Sequence, residues 1–238
     1  MRFDIITLFP ELIKFYSNYS ILKKAQEKKK IEIKVYNLRD FTTDKHRKID
    51  DRPFGGGRGM IIKIEPIFRV IQFLKSNIKN QKSKIILFTP RGKKFNQKLA
   101  HSLSRLDRLI LICGRYEGID ERVVKYISDE QISIGNYVLM GGELPALVVM
   151  ETVTRLLPGV IGKSELLKER IDEKTKGFIE YPQYSRPEIF EPAKVLAELG
   201  FNSKKIKKNI KWRVPKILLS GSHQEIKKWR QKHQKFII

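Results

Sequence analysis

The 238-residue chain carries 49 Lys and Arg against 26 Asp and Glu, a formal charge of +23, and 41% of its residues are hydrophobic. That is enough apolar material for one sizeable core with a smaller appendage, and no run of about eighteen uncharged apolar residues offers a membrane-spanning helix. The charge exceeds what solubility needs and points to a polyanion, nucleic acid first, although a lysine-rich composition spread evenly over the surface would give the same total.

The chain opens Met1-Arg2-Phe3-Asp4-Ile5-Ile6, with an acid where a secretion signal needs an apolar run, so a soluble cytoplasmic protein is expected. Residues 3–8 alternate and are rich in β-formers, 11–24 have helical spacing and 31–35 alternate strictly, which predicts a β-α-β start. Residues 37–59 then read as a polar, glycine-dense arm, and a connection of that length needs a role. Residues 66–79 predict a helix with proline in its first turn, 84–88 a strand, 94–104 a helix and 109–113 a wholly apolar strand. Strands apolar on both sides, alternating with helices, predict an α/β fold: a mainly parallel sheet covered on both faces, with ligands bound beyond the carboxyl ends of its strands.

Three glycine-bearing turns fall at those ends: Thr89-Pro90-Arg91-Gly92, Gly114-Arg115-Tyr116-Glu117-Gly118 and Gly135-Asn136-Tyr137-Val138-Leu139-Met140-Gly141-Gly142. Glycine lets the backbone approach a flat ligand and donate amides to it, while Pro90, Tyr116 and Leu139 supply apolar walls, so a purine-bearing ligand suits the lining. Each turn alone also reads as an ordinary tight turn. The first strand ends Leu8-Phe9-Pro10 without a GxGxxG, which argues against the usual dinucleotide fold. Gly55-Gly56-Gly57-Arg58-Gly59 lacks the Gly-Lys-Ser/Thr of a phosphate loop and reads as a flexible arm. The single Cys113 sits in an apolar run and reads as a buried thiol. His46, His101, His223 and His233 are scattered without metal-ligand spacing, so no structural metal is expected.

Residues 143–157 predict a helix stopped by Pro158-Gly159, after which the chain stays polar to Gly177. The expected division is a main domain over 1–160, a linker over 161–180 and a small helical C-terminal domain over 181–238. The last holds helical segments near 188–199 and a final helix opened by the capping box Ser222-His223-Gln224-Glu225. Its basic pairs, Lys204-Lys205, Lys207-Lys208, Lys211-Trp212-Arg213 and Lys227-Lys228-Trp229-Arg230, suit either an RNA-facing surface or a solvated face with tryptophan packed inward.

Longer strings are more specific: Asp50-Asp51-Arg52-Pro53-Phe54-Gly55-Gly56-Gly57, Cys113-Gly114-Arg115-Tyr116-Glu117-Gly118-Ile119-Asp120-Glu121-Arg122, Ser133-Ile134-Gly135 and Gly141-Gly142-Glu143-Leu144-Pro145-Ala146. On these, and over residues 3–186 almost without gaps, the chain resembles the TrmD family of bacterial tRNA (guanine-37-N1)-methyltransferases, members of the SPOUT class. The resemblance implies a deep trefoil knot in the sheet, an exception to the rule that chains do not thread loops. It also implies S-adenosylmethionine as methyl donor, tRNA with guanine at position 37 as acceptor, an obligate homodimer whose active sites span the subunit interface, and magnesium in catalysis. By matching positions it places Pro90, Gly114, Tyr116, Glu117, Ile134, Gly135, Asn136, Tyr137, Val138, Leu139, Gly141 and Gly142 around the donor.

Methylating guanine N1 removes its proton, so the site needs a base near N1 and a positive group near O6, where negative charge develops. The resemblance assigns these roles to Asp172 and Arg155. Read without it, Arg155 would pair with Glu151 four residues earlier on one helix, and Asp172 would be a solvated carboxylate in a charged linker. The family usually follows its aspartate with Ser-Phe where this chain has Glu173-Lys174, and the linker after Gly162 is longer, which makes Glu169 a second candidate base. His46, Arg47, Asp50, Arg52 and Arg58 of the arm are expected to hold the anticodon branch and the substrate base, Arg58 standing where the family usually has proline. Residues 191–214 resemble an insertion relative to familiar members. A SPOUT methyltransferase with another RNA target and a basic RNA-binding protein that has lost catalysis are the two other readings.

Overall fold

In the computed structural model, which describes residues 1–76, 81–162, 178–200 and 210–237, strand β1 (Arg2–Thr7) sends Phe3 and Ile5 to one side and Asp4 and Ile6 to the other. All four are buried, as a strand covered on both faces requires. Helices α1 (Pro10–Ser17) and α2 (Ser20–Glu27) lead to β2 (Glu32–Asn37). The single helix expected over 11–24 is broken because Ser20 takes a left-handed φ of 49°, which a continuous α-helix cannot hold.

The arm over 37–59 is not a free loop. A one-turn 3-10 helix (Leu38–Phe41) starts it, and β3 (Asp50–Asp51) pairs antiparallel with β4 (Ile61–Ile62). Leu38, Ile49 and Ile62 are buried, so apolar anchors hold both ends and leave only the tip open, with Phe54 fully exposed and Gly55, Gly56 and Gly57 at positive φ. Then come α3 (Ile64–Lys75), β5 (Ser83–Lys94), α4 (Gln97–Leu103), β6 (Arg108–Ile112), α5 (Glu121–Tyr126), β7 (Glu130–Ser133) and α6 (Glu143–Leu156). Asn96 caps α4 through the Leu99 amide at 2.9 Å, and Asp120 caps α5 through the Arg122 amide at 2.9 Å.

The five long-paired strands form one parallel sheet in the order β2-β1-β6-β5-β7. Alternate residues feed two cores. Phe3, Ile5, Ile86, Leu109 and Leu111 pack with α1, α2, α4 and α6 through Ile13, Leu22, Leu103 and Val149. Ile6, Ile85, Leu87, Ile110 and Ile112 pack with α3, α5 and the arm through Ile67, Ile71, Val123 and Ile49. Each buried Ile or Leu stabilises by roughly 1.5–3 kcal/mol, so the two layers carry most of the fold.

The second unit, Gly177–Ile237, is separate from Met1–Lys176. It holds β8 (Phe178–Glu180), β9 (Ile189–Phe190), α7 (Pro192–Glu198), β10 (Trp212–Arg213), α8 (His223–His233) and β11 (Lys235–Ile237). β8 pairs with β11 and β9 with β10, both antiparallel, so the unit is mixed rather than purely helical. The helix expected near 188–199 starts only at Pro192, because Ile189-Phe190 pairs with Trp212-Arg213 and the Phe190 and Trp212 rings meet at 5.4 Å. Ser222 caps α8 as expected, accepting from the Glu225 amide at 3.4 Å. Trp229 stacks on His233 at 4.3 Å. Residues 163–177 of the expected linker and the pairs Lys204-Lys205 and Lys207-Lys208 lie outside the described residues.

Candidate functional site

At the carboxyl end of the sheet the three glycine turns come together. β5 does not stop at Phe88. Residues 89–92 loop out and the strand resumes, so that Phe88 and Lys93 both face Ile132 of β7. The chain leaving β7 returns to the end of β6: Arg115 bridges Gly141 in antiparallel fashion, and the Gly142 amide donates to the Gly114 carbonyl at 2.9 Å. A side chain at Gly142 would place its Cβ 2.7 Å from the Cys113 Cα, so the close crossing of two backbones needs glycine there.

These turns enclose a cleft of about 420 Å³, within the size range of small-molecule sites. Pro90, Gly114, Tyr116, Glu117, Ile134, Tyr137, Val138, Leu139, Gly141 and Gly142 all border it. Gly135 and Asn136 are not among its lining. Gly135 lies behind the wall, where its carbonyl accepts from the Ser133 hydroxyl at 2.9 Å and the Tyr137 ring occupies the space that its side chain would take. The cleft also uses residues the sequence reading passed over, among them Arg115, Ile119, Met140 and Pro145. Arg115 and Met140 lay inside the turns already marked, whereas Pro145, on the first turn of α6, carries no local sign of facing a ligand.

Tyr116 is half exposed and has φ of 59°, a left-handed conformation that costs a bulky side chain roughly 1–2 kcal/mol. Cys113, next to Gly114 at the end of β6, is buried in the core; desolvation pushes its thiol well above the usual range, and nearby Glu143 adds to that. Arg122 holds the Asp120 carboxyl below the usual carboxylate value through a hydrogen bond. Among the described residues no group of three or more His, Cys, Asp or Glu side chains could hold a metal ion. No described helix is long and apolar enough to cross a membrane.

The arm is stitched to the second turn. The Glu117 amide donates to the Met60 carbonyl at 3.1 Å, the Ile62 amide to Gly118 at 2.9 Å and the Asp120 amide to Ile62 at 3.0 Å. His46, Arg52 and Arg58 are exposed on the arm and Asp50 is half-buried in β3. Arg47 instead folds back on the arm, binding the Asp40 carboxylate and the Arg39 carbonyl. Arg155 is exposed in the last turn of α6. The Glu151 carboxylate, its expected partner in the simpler reading, accepts a hydrogen bond from the Tyr16 hydroxyl. Asp172 and Glu169 lie outside the described residues.

Residues 1–236 match the family described as tRNA (Guanine-1)-methyltransferase TrmD. A tRNA (guanine-N(1)-)-methyltransferase of Dictyoglomus turgidum is 51% identical over 232 residues, covering 98% of this chain and 84% of the relative. The protein of that name from Clostridioides difficile is 42% identical over 231 residues, covering 97% and 91%. The crystal structure of tRNA (m1G37) methyltransferase from Aquifex aeolicus superposes with a TM-score of 0.74 at 37% identity, over 98% of this chain and 88% of that one. With its parallel sheet, its converging glycine turns and matches along nearly its whole length, the chain belongs to the TrmD family of tRNA (guanine-1)-methyltransferases.

Proposed function

We propose that the protein transfers a methyl group from S-adenosylmethionine to N1 of guanine 37 in tRNA. The observation that carries this reading is the glycine-walled cleft at the carboxyl ends of β5, β6 and β7 in a chain of this family. The cleft suits the donor in size and chemistry. Gly114, Gly141 and Gly142 let backbone come close, Pro90, Tyr116 and Leu139 offer apolar walls, and Glu117 adds a carboxylate at the edge. When bound, the donor supplies an electrophilic methyl group on a sulfonium.

Asp172 takes the N1 proton and Arg155 stabilises the negative charge that develops on O6, with Glu169 as the alternative base. His46, Asp50, Arg52 and Arg58 on the arm contact the anticodon branch, in keeping with the exposure of the three basic side chains beside the cleft's second turn. Gly135 and Asn136, in the same turn as Tyr137 and Leu139, complete the donor set that the family resemblance assigns.

A trefoil knot and a homodimer complete the reading. The return of residues 134–142 from the edge strand to the end of β6 is the kind of crossing a knot needs. Leu12, Phe15 and Tyr19 near α1, and Leu144 and Val148 on α6, are exposed apolar side chains on packed helices, joined by the Tyr16–Glu151 bond, and a second copy would cover them. Arg155 continues the same exposed side of α6, which agrees with a site completed across that interface. A main domain, a linker and a tRNA-binding C-terminal domain, the last taking in β8 (Phe178–Glu180) from the expected linker, and a cytoplasmic location go with this activity. Among the described residues no side-chain cluster offers magnesium a site.

The test is incubation with labelled S-adenosylmethionine and unmodified tRNA bearing guanine at positions 36 and 37, followed by mapping of the product. Label at N1 of guanine 37 is expected. Label on another nucleotide would move the activity to a different RNA target, and donor binding without transfer would leave an inactive RNA-binding protein.

A further inference from the structure

Beneath the cleft lies a carboxylate that the proposed reaction does not use. Glu143, the first residue of α6, is 1% exposed. Its Oε1 accepts from the Thr7 hydroxyl at 2.7 Å and its Oε2 from Nε of Arg115 at 2.9 Å. Both partners lead back to the exit of β1. Thr7 Oγ1 accepts from the Phe9 amide at 2.9 Å, and the Arg115 guanidinium carbon sits 4.4 Å from the centroid of the Phe9 ring.

On the other side, Arg115 bridges Gly141 and the Gly142 amide binds the Gly114 carbonyl. Oε2 of Glu143 lies 2.6 Å from where a Cβ of Gly141 would fall, so the network itself fills the space that makes glycine necessary. One carboxylate thus fastens three segments, residues 7–9, 114–116 and 141–143, and the last two wall the cleft.

Burying a carboxylate with a guanidinium is weak evidence for stability, because apolar residues of the same volume often serve as well. The positive end of α6 favours the anion at this place. What an apolar pair could not do is hold Arg115 in one orientation. Tyr116, the next residue, is held in a left-handed conformation that persists only where neighbours over-determine it.

We infer that Glu143 is a positioning residue for donor binding: through Arg115 it holds Tyr116 against the cleft and keeps the Gly114 and Gly141 turns in register. The inference rests on the methyltransferase reading of that cleft. Glu143→Gln keeps the shape and one acceptor oxygen but removes the charge that grips Arg115, and Thr7→Val leaves that charge in place while removing the lower bond to Glu143 together with the bond Thr7 accepts from the Phe9 amide.

Calorimetric titration with S-adenosylmethionine is expected to give a Kd raised about tenfold in Glu143→Gln, the size of one lost charge-assisted hydrogen bond, and about threefold in Thr7→Val. The double variant should fall short of the product of the two, since both act through one carboxylate. In steady-state kinetics the donor KM rises while kcat at saturating donor and the tRNA KM stay within about twofold. A residue that only propped up the fold would lower Tm and leave the donor KM of the folded molecules unchanged.

Folded Glu143→Gln that binds donor as the parent does overturns the inference. If that variant does not fold, Thr7→Val decides, and an unchanged Kd there overturns it equally. Failure of the parent protein itself to bind donor would strike the methyltransferase reading, and this inference with it.

Discussion

Both ends of the parallel sheet bury a carboxylate against arginine beside a groove, and only at the carboxyl end do glycine turns wall it. At the amino end, fully buried Asp4 is held by Arg108, itself 1% exposed, and by Arg2 at 2.8 Å. Arg2 also reaches the Tyr36 hydroxyl at 3.1 Å, and no glycine lines the groove beside it. At the carboxyl end, Glu143 holds Arg115, whose side chain is still 22% exposed and borders the cleft. The chemistry is the same. Strand direction separates the two: at the carboxyl end the loop within β5 and the turns after β6 and β7 splay apart around a space, so an ion pair there can shape a ligand site.

The largest expected effect separates chemistry from shape at the carboxyl end. Asp172→Asn should lower turnover on the order of 10³-fold while the donor Kd stays at the parent value. Unchanged single-turnover rates in that variant would shift the base to Glu169. At the amino end, Asp4→Ala leaves the Arg108 guanidinium buried without its carboxylate and should cost about 3–5 kcal/mol in urea unfolding. Its folded fraction should bind donor normally, and a weakened Kd there would mean that the two ends are mechanically coupled.

Gly142→Ala tests the crossing itself. A methyl group 2.7 Å from the Cys113 Cα forces one backbone to move. It should cost about 1–3 kcal/mol of stability, and donor affinity should fall at least about tenfold. The smallest effect belongs to Cys113, which is buried in the core behind Gly114 with its thiol pushed well above the usual range. Cys113→Ala should cost about 1 kcal/mol and leave donor affinity within about twofold. In the parent, iodoacetamide at mildly alkaline pH should label this thiol only after denaturant is added, and rapid native labelling would show that the core behind Gly114 opens to solvent.

Much of the fold was legible because it is written in local pattern. Leu109 to Ile112 read as a strand covered twice, and the Ser222 cap marks a helix start by its own side chain, whereas the helix expected from residue 94 starts only at Gln97 because Lys94 still belongs to β5. β7 escaped notice because Glu130-Gln131-Ile132-Ser133 offers one aliphatic residue, and α5 because its six residues are too few to show a period. In the site, ten of the twelve residues matched to the donor border the cleft, and the two that do not, Gly135 and Asn136, sit in the same turn as those that do. A turn announces itself by its glycines, but which of its residues face inward depends on what packs behind it.

From sequence alone came the doubly covered parallel sheet, the glycine turns at its strand ends and the kinship with a tRNA methyltransferase family, since apolar periodicity, steric freedom at glycine and long identical strings are all local properties. Only the tertiary structure decided that residues 89–92 loop out of a strand that then resumes, that the arm is pinned by Ile49 and Ile62, and that Thr7 meets Glu143 across 136 positions. The reason is physical. A hydrogen bond between distant side chains exists only once the backbone crossings have brought their segments together, and nothing in either residue's own neighbourhood encodes that meeting.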